Sequence, residues 1–554
     1  MNKIHIQISG MTCDHCAQSA QDALNALEGI NASVSFDEKM ASIETQANVD
    51  SRLLIKAIES KGYGATLPGD VDTIEEERVK IPGSEDSLHI AIVGTGSGAF
   101  AAAIKAVEQG AQVTIIEGAD IIGGTCVNIG CVPSKIMIRG AHIAHIQGQH
   151  NFAGVPRRKS SDKPVIDRKA MVQQQQQWVE NLRHAKYESI LESNPGIHLI
   201  RGLAKFKDAS TLLVAKTDGT ETEIKADRIL LAVGARPMIP DISGLADTPY
   251  WTSTEALVAE EIPKHLVVLG GSVVALELAQ AFRHLGAEVT IMARSTLLSK
   301  EDADIGKGLK TVLEGEGLKI ELSTVPTSIN YAGKEFTLTT ADGDVRCDQL
   351  LVATGRKSNA DTLALVNAGV AVARNGTIII DDRMRTNIEN IYAAGDCTNQ
   401  PQYVYVAAAA GTRAARNMTG DDVSLDLSTM PAVVFTNPQV ATVGLNEQQA
   451  KEQGLNVESR LLELENVPRA IANMDTRGFI KLVAEQDSGR IVGCQVLANE
   501  GGEIIQTAAL AISNKMTIES LANQLFPYLT MVEGLKLTAQ TFNKDVKQLS
   551  CCAG

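Results

Sequence analysis

Two stretches of this chain repeat one plan: an apolar strand, a glycine turn, a helix and a second strand. The first runs from Leu88-His-Ile-Ala-Ile-Val93 into Gly94-Thr-Gly96-Ser-Gly98-Ala99, then through an Ala-rich helix to about Gly110 and on to Gln112-Val-Thr-Ile-Ile-Glu117. That order aims a helix N-terminus at a pyrophosphate, and the glycines let the backbone approach it. Ala99 takes the third glycine position. Glu117 ends the second strand, where a carboxylate binds the ribose hydroxyls of an unphosphorylated adenosine. The second copy runs from His265 through Gly270-Gly-Ser-Val-Val-Ala275 to Glu288-Val-Thr-Ile-Met-Ala-Arg294, with Ser272 and Ala275 where glycines are usual. Arg294 stands at the ribose position, where a guanidinium pairs with a 2′-phosphate and so selects NADPH over NADH; a solvated surface arginine is the alternative. Two such sites imply FAD and NADPH brought together on two Rossmann-like α/β domains.

Between the copies lies Gly123-Gly-Thr-Cys-Val-Asn-Ile-Gly-Cys-Val-Pro-Ser-Lys135, with four residues separating Cys126 from Cys131. A helical pitch near 5.4 Å brings such residues within disulfide range, and a helix starting near them favours a thiolate. Gly124 belongs to the pair that lets backbone approach a flat cofactor, and Lys135 is placed to stabilise negative charge on a reduced flavin. Leu351-Val-Ala-Thr-Gly355-Arg356 reads as the strand and turn closing the nicotinamide unit, and Asn390-Ile-Tyr-Ala-Ala-Gly395-Asp396 as a strand delivering a carboxylate to the flavin sugar chain.

The chain has 554 residues and a formal charge of −15, which disfavours a nucleic-acid partner, because such binding leans on clustered Lys and Arg. No apolar run is long enough for a membrane helix, the first residues do not read as a signal peptide, and nine cysteines clustered mostly in pairs suit a reducing cytoplasm. Residues 1–68 alternate as strand, helix, strand, strand, helix, strand. Residues 69–87 are acidic and apolar-poor, as a flexible linker should be. Beyond them we expect an FAD-binding domain over 88–240, an NADPH-binding domain over 241–360, a second FAD-binding part over 361–430 and an α+β dimerisation domain over 431–554.

In the small unit, Gly10-Met-Thr-Cys13-Asp-His-Cys16 sits between the first strand and first helix. Two thiolates at this spacing hold one soft cation. The motif and element order resemble the heavy-metal-associated domain, which implies a ferredoxin-like βαββαβ fold with Cys13 and Cys16 as metal ligands.

Residues 88–554 resemble the pyridine nucleotide–disulfide oxidoreductase family. The resemblance implies that Cys131 faces the flavin and Cys126 exchanges with substrate, that Ala99, Ala119, Thr125, Lys135, Ala204, Asp396 and Val404 contact FAD, and that the protein is a homodimer. The family's disulfide reductases carry a His-x-His-Pro motif near the C-terminus. Here no histidine follows His284, the matching place reads Leu525-Phe-Pro-Tyr528, and the chain ends with Cys551-Cys552-Ala-Gly. A phenol is a poor proton carrier at neutral pH, whereas vicinal thiols are adaptable soft-metal ligands.

Together with Leu182-Arg-His-Ala-Lys-Tyr187, these features resemble the mercury-reducing members of that family. The resemblance implies NADPH-dependent reduction of Hg(II) to volatile Hg(0) as detoxification. Hg(II) would pass by thiolate exchange from Cys551 and Cys552 of one subunit to Cys126 and Cys131 of the other, with Tyr187 and Tyr528 around the metal. Hg(II)–thiol complexes would be the substrate, handed over by thiol carriers, a mercury transporter or Cys13 and Cys16. A core-packing role for either tyrosine stays open. So do two other functions, a flavin-dependent disulfide reductase and a non-catalytic soft-metal-binding protein.

Overall fold

The computed structural model describes residues 2–9, 14–27, 29–36, 38–45, 49, 51–59, 61, 63–66, 87–157, 159 and 164–548. Contacts divide the chain into two units, Met1–Ser84 and Glu85–Gly554. Cys13, Cys551, Cys552 and nearly all of the expected linker lie outside the described residues.

In the small unit the strand Asn2–Ser9 alternates, with Ile6 and Ile8 buried while His5 and Gln7 face solvent. This strand pairs antiparallel with Met40–Thr45 and Gly64–Thr66, and Ile30–Ser35 adds to the far side of Met40–Thr45. The helices Asp14–Asn25 and Ser51–Glu59 close the core with Ala17, Ala20, Leu24, Leu54 and Ile58. The element order is the expected βαββαβ. The first helix begins at Asp14. Cys16 therefore lies inside the first turn.

The larger unit is built on two parallel sheets. The first runs in the order Ile391–Ala393, Arg228–Leu231, His89–Val93, Gln112–Glu117, Ile197–Arg201. Its central strand His89–Val93 is buried on both faces, which is why Ile90, Ala91, Ile92 and Val93 form an unbroken apolar run. The second runs Lys319–Leu322, Glu288–Ala293, His265–Leu269, Gln349–Val352. Three-stranded antiparallel sheets attach to each, and a ribbon pairing Ala235–Pro237 with Arg356–Ser358 joins the two halves near the expected boundaries at 240 and 360. A third, antiparallel sheet of five strands between Ala432 and Ala498 carries the helices Gly501–Ser513 and Glu533–Gln540. Among the described residues no helix is long and apolar enough to cross a membrane.

The two parallel units repeat even in their side-chain anchors. His89 bonds the Lys225 carbonyl through Nδ1 and Thr114 through Nε2, both at 2.9 Å. His265 bonds the Arg346 carbonyl and Thr290 with the same atoms at the same distances. Asp227 and Asp348 accept from the backbone N–H groups of these two histidines.

Candidate active site

The glycine turn after the first strand is shaped by two close approaches. Gly94 has φ +109°, and a β-carbon on it would lie 2.4 Å from the Ala232 carbonyl oxygen; at Gly411 a β-carbon would lie 2.0 Å from that of Gly98. The second approach lets the helix Val404–Met418 lie against the helix Ser97–Glu108, so Val404 opens one helix beside the turn that starts the other. A β-carbon on Gly96 would meet nothing within 4 Å, leaving open space at the helix N-terminus where a pyrophosphate fits. Ala99 is buried in the first turn of that helix.

Glu117 accepts from the Thr95 hydroxyl and from the Ala119 N–H at 2.9 Å, so its carboxylate is oriented at the strand tip. Leu203, next to Ala204, packs where a β-carbon on Gly118 would fall, which sets the Ala204 strand beside Ala119. Asp396 follows the strand Ile391–Ala393; burial pushes its carboxyl up, opposed by the charge of Arg356, whose Nε lies 3.6 Å away. That buried Nε makes no hydrogen bond. An oriented acid, an open helix end and an underused buried guanidinium together fit a dinucleotide such as FAD.

The second glycine turn repeats the device. Gly270 has φ +132°, and a β-carbon there would lie 2.3 Å from the Ala353 carbonyl oxygen. Gly355 has φ +136° in the turn after Gln349–Val352. Arg294 follows the second strand and is exposed, open to a phosphate in solvent reach.

The cysteine pair does not sit on one continuous helix, as a simple pitch argument would have it. Cys126 lies in the short helix Gly124–Ile129, Gly130 breaks the path at φ −135° and ψ −114°, and Cys131 opens the helix Cys131–Gln149. A β-carbon on Gly130 would lie 2.8 Å from the Thr125 carbonyl oxygen, so the tight fold-back needs glycine. It gives Cys131 the first position of a 19-residue helix, where unpaired N–H groups favour negative charge. A β-carbon on Gly124 would sit 2.6 Å from the Gly96 Cα, so the redox turn, with Thr125 next in line, lies directly on the nucleotide turn.

Both thiols are reduced here, and Cys126 is hydrogen-bonded to Cys131. That bond, with help from the Lys135 charge against the opposing effect of burial, draws Cys131 down to about 7. The same bond, then burial, pushes Cys126 up. Cys131 is thus the thiolate and Cys126 the proton-bearing partner. Lys135 Nζ bonds Glu277 at 2.8 Å and lies 4.5 Å above the Phe435 ring, while Glu277 also accepts from the Phe435 N–H at 2.9 Å.

Tyr187 belongs to a π-helical turn, His184–Glu188. Its hydroxyl lies 3.2 Å from Ser97 Oγ, its ring meets Phe100 edge-on at 4.9 Å, and a β-carbon on Gly123 would touch its Cδ2 at 3.5 Å. Burial raises its phenol, and the charge of either cysteine adds to that rise. Tyr528 lies elsewhere in the chain, half exposed on the segment between the helices Ile518–Ala522 and Glu533–Gln540, beside the nearly fully exposed Leu525. Cys347, Cys397 and Cys494 are buried, and burial holds Cys347 and Cys397 at about 12.

A second polar cluster escaped the sequence. His284 bonds Glu316 at 2.9 Å, Arg477 bonds the other oxygen at 2.8 Å, and the His145 ring stacks on His284 at 3.9 Å. Burial alone would raise Glu316, but His284 and Gln280 bring it to about 2. The ligand atoms of His145, His284 and Glu316 lie within 4.8 Å of one another. Stacked imidazoles, however, direct their lone pairs along parallel planes, and Arg477 already neutralises the carboxylate. The cluster reads as a tie joining the helix that carries Cys131 to the rest of the body.

The sequence could have flagged Glu277, a lone acid inside the apolar stretch Val273–Phe282. Ser97, Asn128 and Arg183 gave no signal.

Comparison with known proteins agrees with this geometry. The pyridine nucleotide-disulphide oxidoreductase family matches residues 88–411, its dimerisation domain 430–539 and the heavy-metal-associated domain 5–64. A mercuric reductase of Shewanella putrefaciens is 55% identical over 560 residues, covering 100% of both chains. One from Shigella flexneri is 56% identical, covering 99% of this chain and 100% of its own. Among solved structures, the Cu(II) complex of the HOCl-induced flavoprotein disulfide reductase RclA from Escherichia coli superposes with TM-score 0.74 at 28% identity, covering 82% of this chain and 99% of its own. LpdA from Mycobacterium tuberculosis reaches TM-score 0.73 at 27% identity, covering 82% of this chain and 100% of its own. The chain belongs to the pyridine nucleotide-disulphide oxidoreductase family and, within it, to the mercuric reductases.

Proposed function

We propose that this protein is an NADPH-dependent flavoenzyme that reduces Hg(II) to Hg(0). The observation that carries the reading is the thiolate–thiol pair of Cys131 and Cys126, held by Gly124 against the nucleotide turn at Gly96. When bound, NADPH and FAD supply the two electrons.

The residues do the rest. Hg(II) binds two sulfurs in nearly linear geometry and moves by exchange, one arriving thiolate displacing one departing thiolate. Cys126 exchanges with the incoming Hg(II)–thiol complex, its proton leaving on the departing thiol, and Cys131, drawn down toward a thiolate near neutral pH, displaces the second thiolate to complete the pair. Two electrons then convert Hg(II) to Hg(0), and both sulfurs leave as thiolates. Lys135, held by Glu277, steadies negative charge near the pair. Glu117 and Asp396 hold the flavin nucleotide, and Arg294 takes the 2′-phosphate of NADPH.

Cys551 and Cys552 of one subunit deliver metal to the pair of its partner in a homodimer, and Tyr187 and Tyr528 lie around the bound metal. Cys13 and Cys16 collect metal from thiol carriers or a transporter. NADPH supply and abundant small thiols support a cytoplasmic location.

The test is to supply NADPH, excess small thiol and Hg(II), then follow nicotinamide absorbance and loss of metal to the gas phase. Stoichiometric loss of both is expected. Rapid NADPH oxidation by glutathione disulfide without Hg(II) would point to a disulfide reductase, and metal uptake with no NADPH oxidation to a sequestering protein.

A further inference from the structure

The π turn that carries Tyr187 is clamped from two sides by one arginine. The Ser189 N–H bonds the His184 carbonyl, five residues back, so the helix that begins at Arg168 takes in one extra residue here. In an α-helix, positions five apart are turned by roughly 140° and their side chains do not meet. Arg183 Nε nonetheless bonds Glu188 Oε1 at 3.0 Å, a contact that the π turn permits and that in turn holds the π turn closed. The same guanidinium donates through Nη1 to Asn128 Oδ1 at 3.2 Å. Asn128 is two residues from Cys126, and its amide bonds the carbonyls of Ile122 at 2.8 Å and Gly124 at 3.0 Å, bracing the turn that holds the cysteine.

We propose that Arg183 is a positioning residue for the mercury reaction: bonded to Asn128 on the cysteine turn and to Glu188 across the π turn, it sets the register in which Tyr187 lies against Gly123 and Ser97. Release of the extra residue would rotate the remainder of the helix by roughly 100° and carry the phenol off Gly123 and Ser97. A lysine, whose donors share one nitrogen, lacks the spaced Nε and Nη1 that reach these two acceptors. The inference rests on the reading of Tyr187 as a residue beside the metal.

A double-mutant cycle on the flavin-loaded full chain tests it. Tyr187→Phe should lower kcat/KM for a Hg(II)–thiol substrate about tenfold, Arg183→Gln about fivefold, and the double variant by no more than about tenfold, because both act through one phenol. Flavin reduction by NADPH, read by stopped flow, should stay unchanged in Arg183→Gln, which a general loss of structure would not allow. Glu188→Gln, at a half-exposed site, is scored in the same way should Arg183→Gln fail to fold. If Tyr187→Phe is harmful but Arg183→Gln and Glu188→Gln are silent, or if the losses multiply, the positioning role is overturned while the reading of Tyr187 stands. If Tyr187→Phe is itself silent, that reading is lost and this inference with it.

Discussion

The unit built on His89–Val93 and the unit built on His265–Leu269 share a framework and divide the labour. Each anchors its first strand with a histidine bridging a carbonyl and a threonine, and each presses a positive-φ glycine onto a neighbouring carbonyl, Ala232 for Gly94 and Ala353 for Gly270. They part at the tips. Glu117 is locked by Thr95 and the Ala119 N–H, whereas Arg294 stands exposed. Among the described residues, only the first unit has a cysteine turn folded onto its glycines. In the proposed reading a common scaffold positions a nucleotide, the residue at the second strand's tip selects which one, and the segment folded onto the turn places the chemistry there.

The largest expected effect comes from breaking that asymmetry. Cys126→Ala should lower Hg(II)-dependent NADPH oxidation by about a thousandfold or more while flavin stays bound, because the exchange step loses one of its two sulfurs. An intact rate in that variant would move the chemistry out of the first unit.

Matched glycine changes come next. Alanine at either Gly94 or Gly270 meets both a left-handed backbone and a carbonyl closer than 2.5 Å. At about 1–3 kcal/mol of overpacking, each should weaken its own nucleotide roughly tenfold to a hundredfold. Gly94→Ala should purify with little flavin; Gly270→Ala should keep its flavin but need far more NADPH to reduce it. Loss of the same nucleotide from both variants would contradict the assignment.

Arg294→Glu should reverse part of the preference for NADPH over NADH, by about tenfold in the ratio of kcat/KM values. An unchanged ratio would return Arg294 to the solvated surface.

The smallest effect concerns proton balance. Cys131, held at about 7, is a thiolate above that pH and becomes a thiol as the pH falls through it. Its alkylation by iodoacetamide should therefore slow below neutrality, and Lys135→Met, which removes a lowering charge, should move that midpoint upward. A midpoint near 9 in the unaltered protein would contradict the hydrogen-bonded arrangement.

Much of this is legible in the residues alone. The two glycine turns, the acid and the arginine at the strand tips, and the βαββαβ order of residues 1–68 each depend on a few contiguous residues whose spacing obeys strand and helix geometry. The proximity of Cys126 and Cys131 is expected from spacing for an incomplete reason: the chain brings them together by folding back at Gly130, a device that a pitch argument on one helix does not contain. The π turn is hidden too, since one extra residue in a helix leaves composition and apolar periodicity nearly unaltered.

What the sequence by itself determined is the local grammar: which segments form the glycine turns, which thiols sit together, which charge stands at each second strand's tip. Only the tertiary structure decided which distant group completes each of them. His284 finds Glu316 at a separation of 32 residues, Arg183 finds Asn128 at 55, Tyr187 finds Ser97 at 90 and Lys135 finds Glu277 at 142. A buried polar group must have a partner, but no rule of spacing names it, because the choice is made by how the sheets and helices pack.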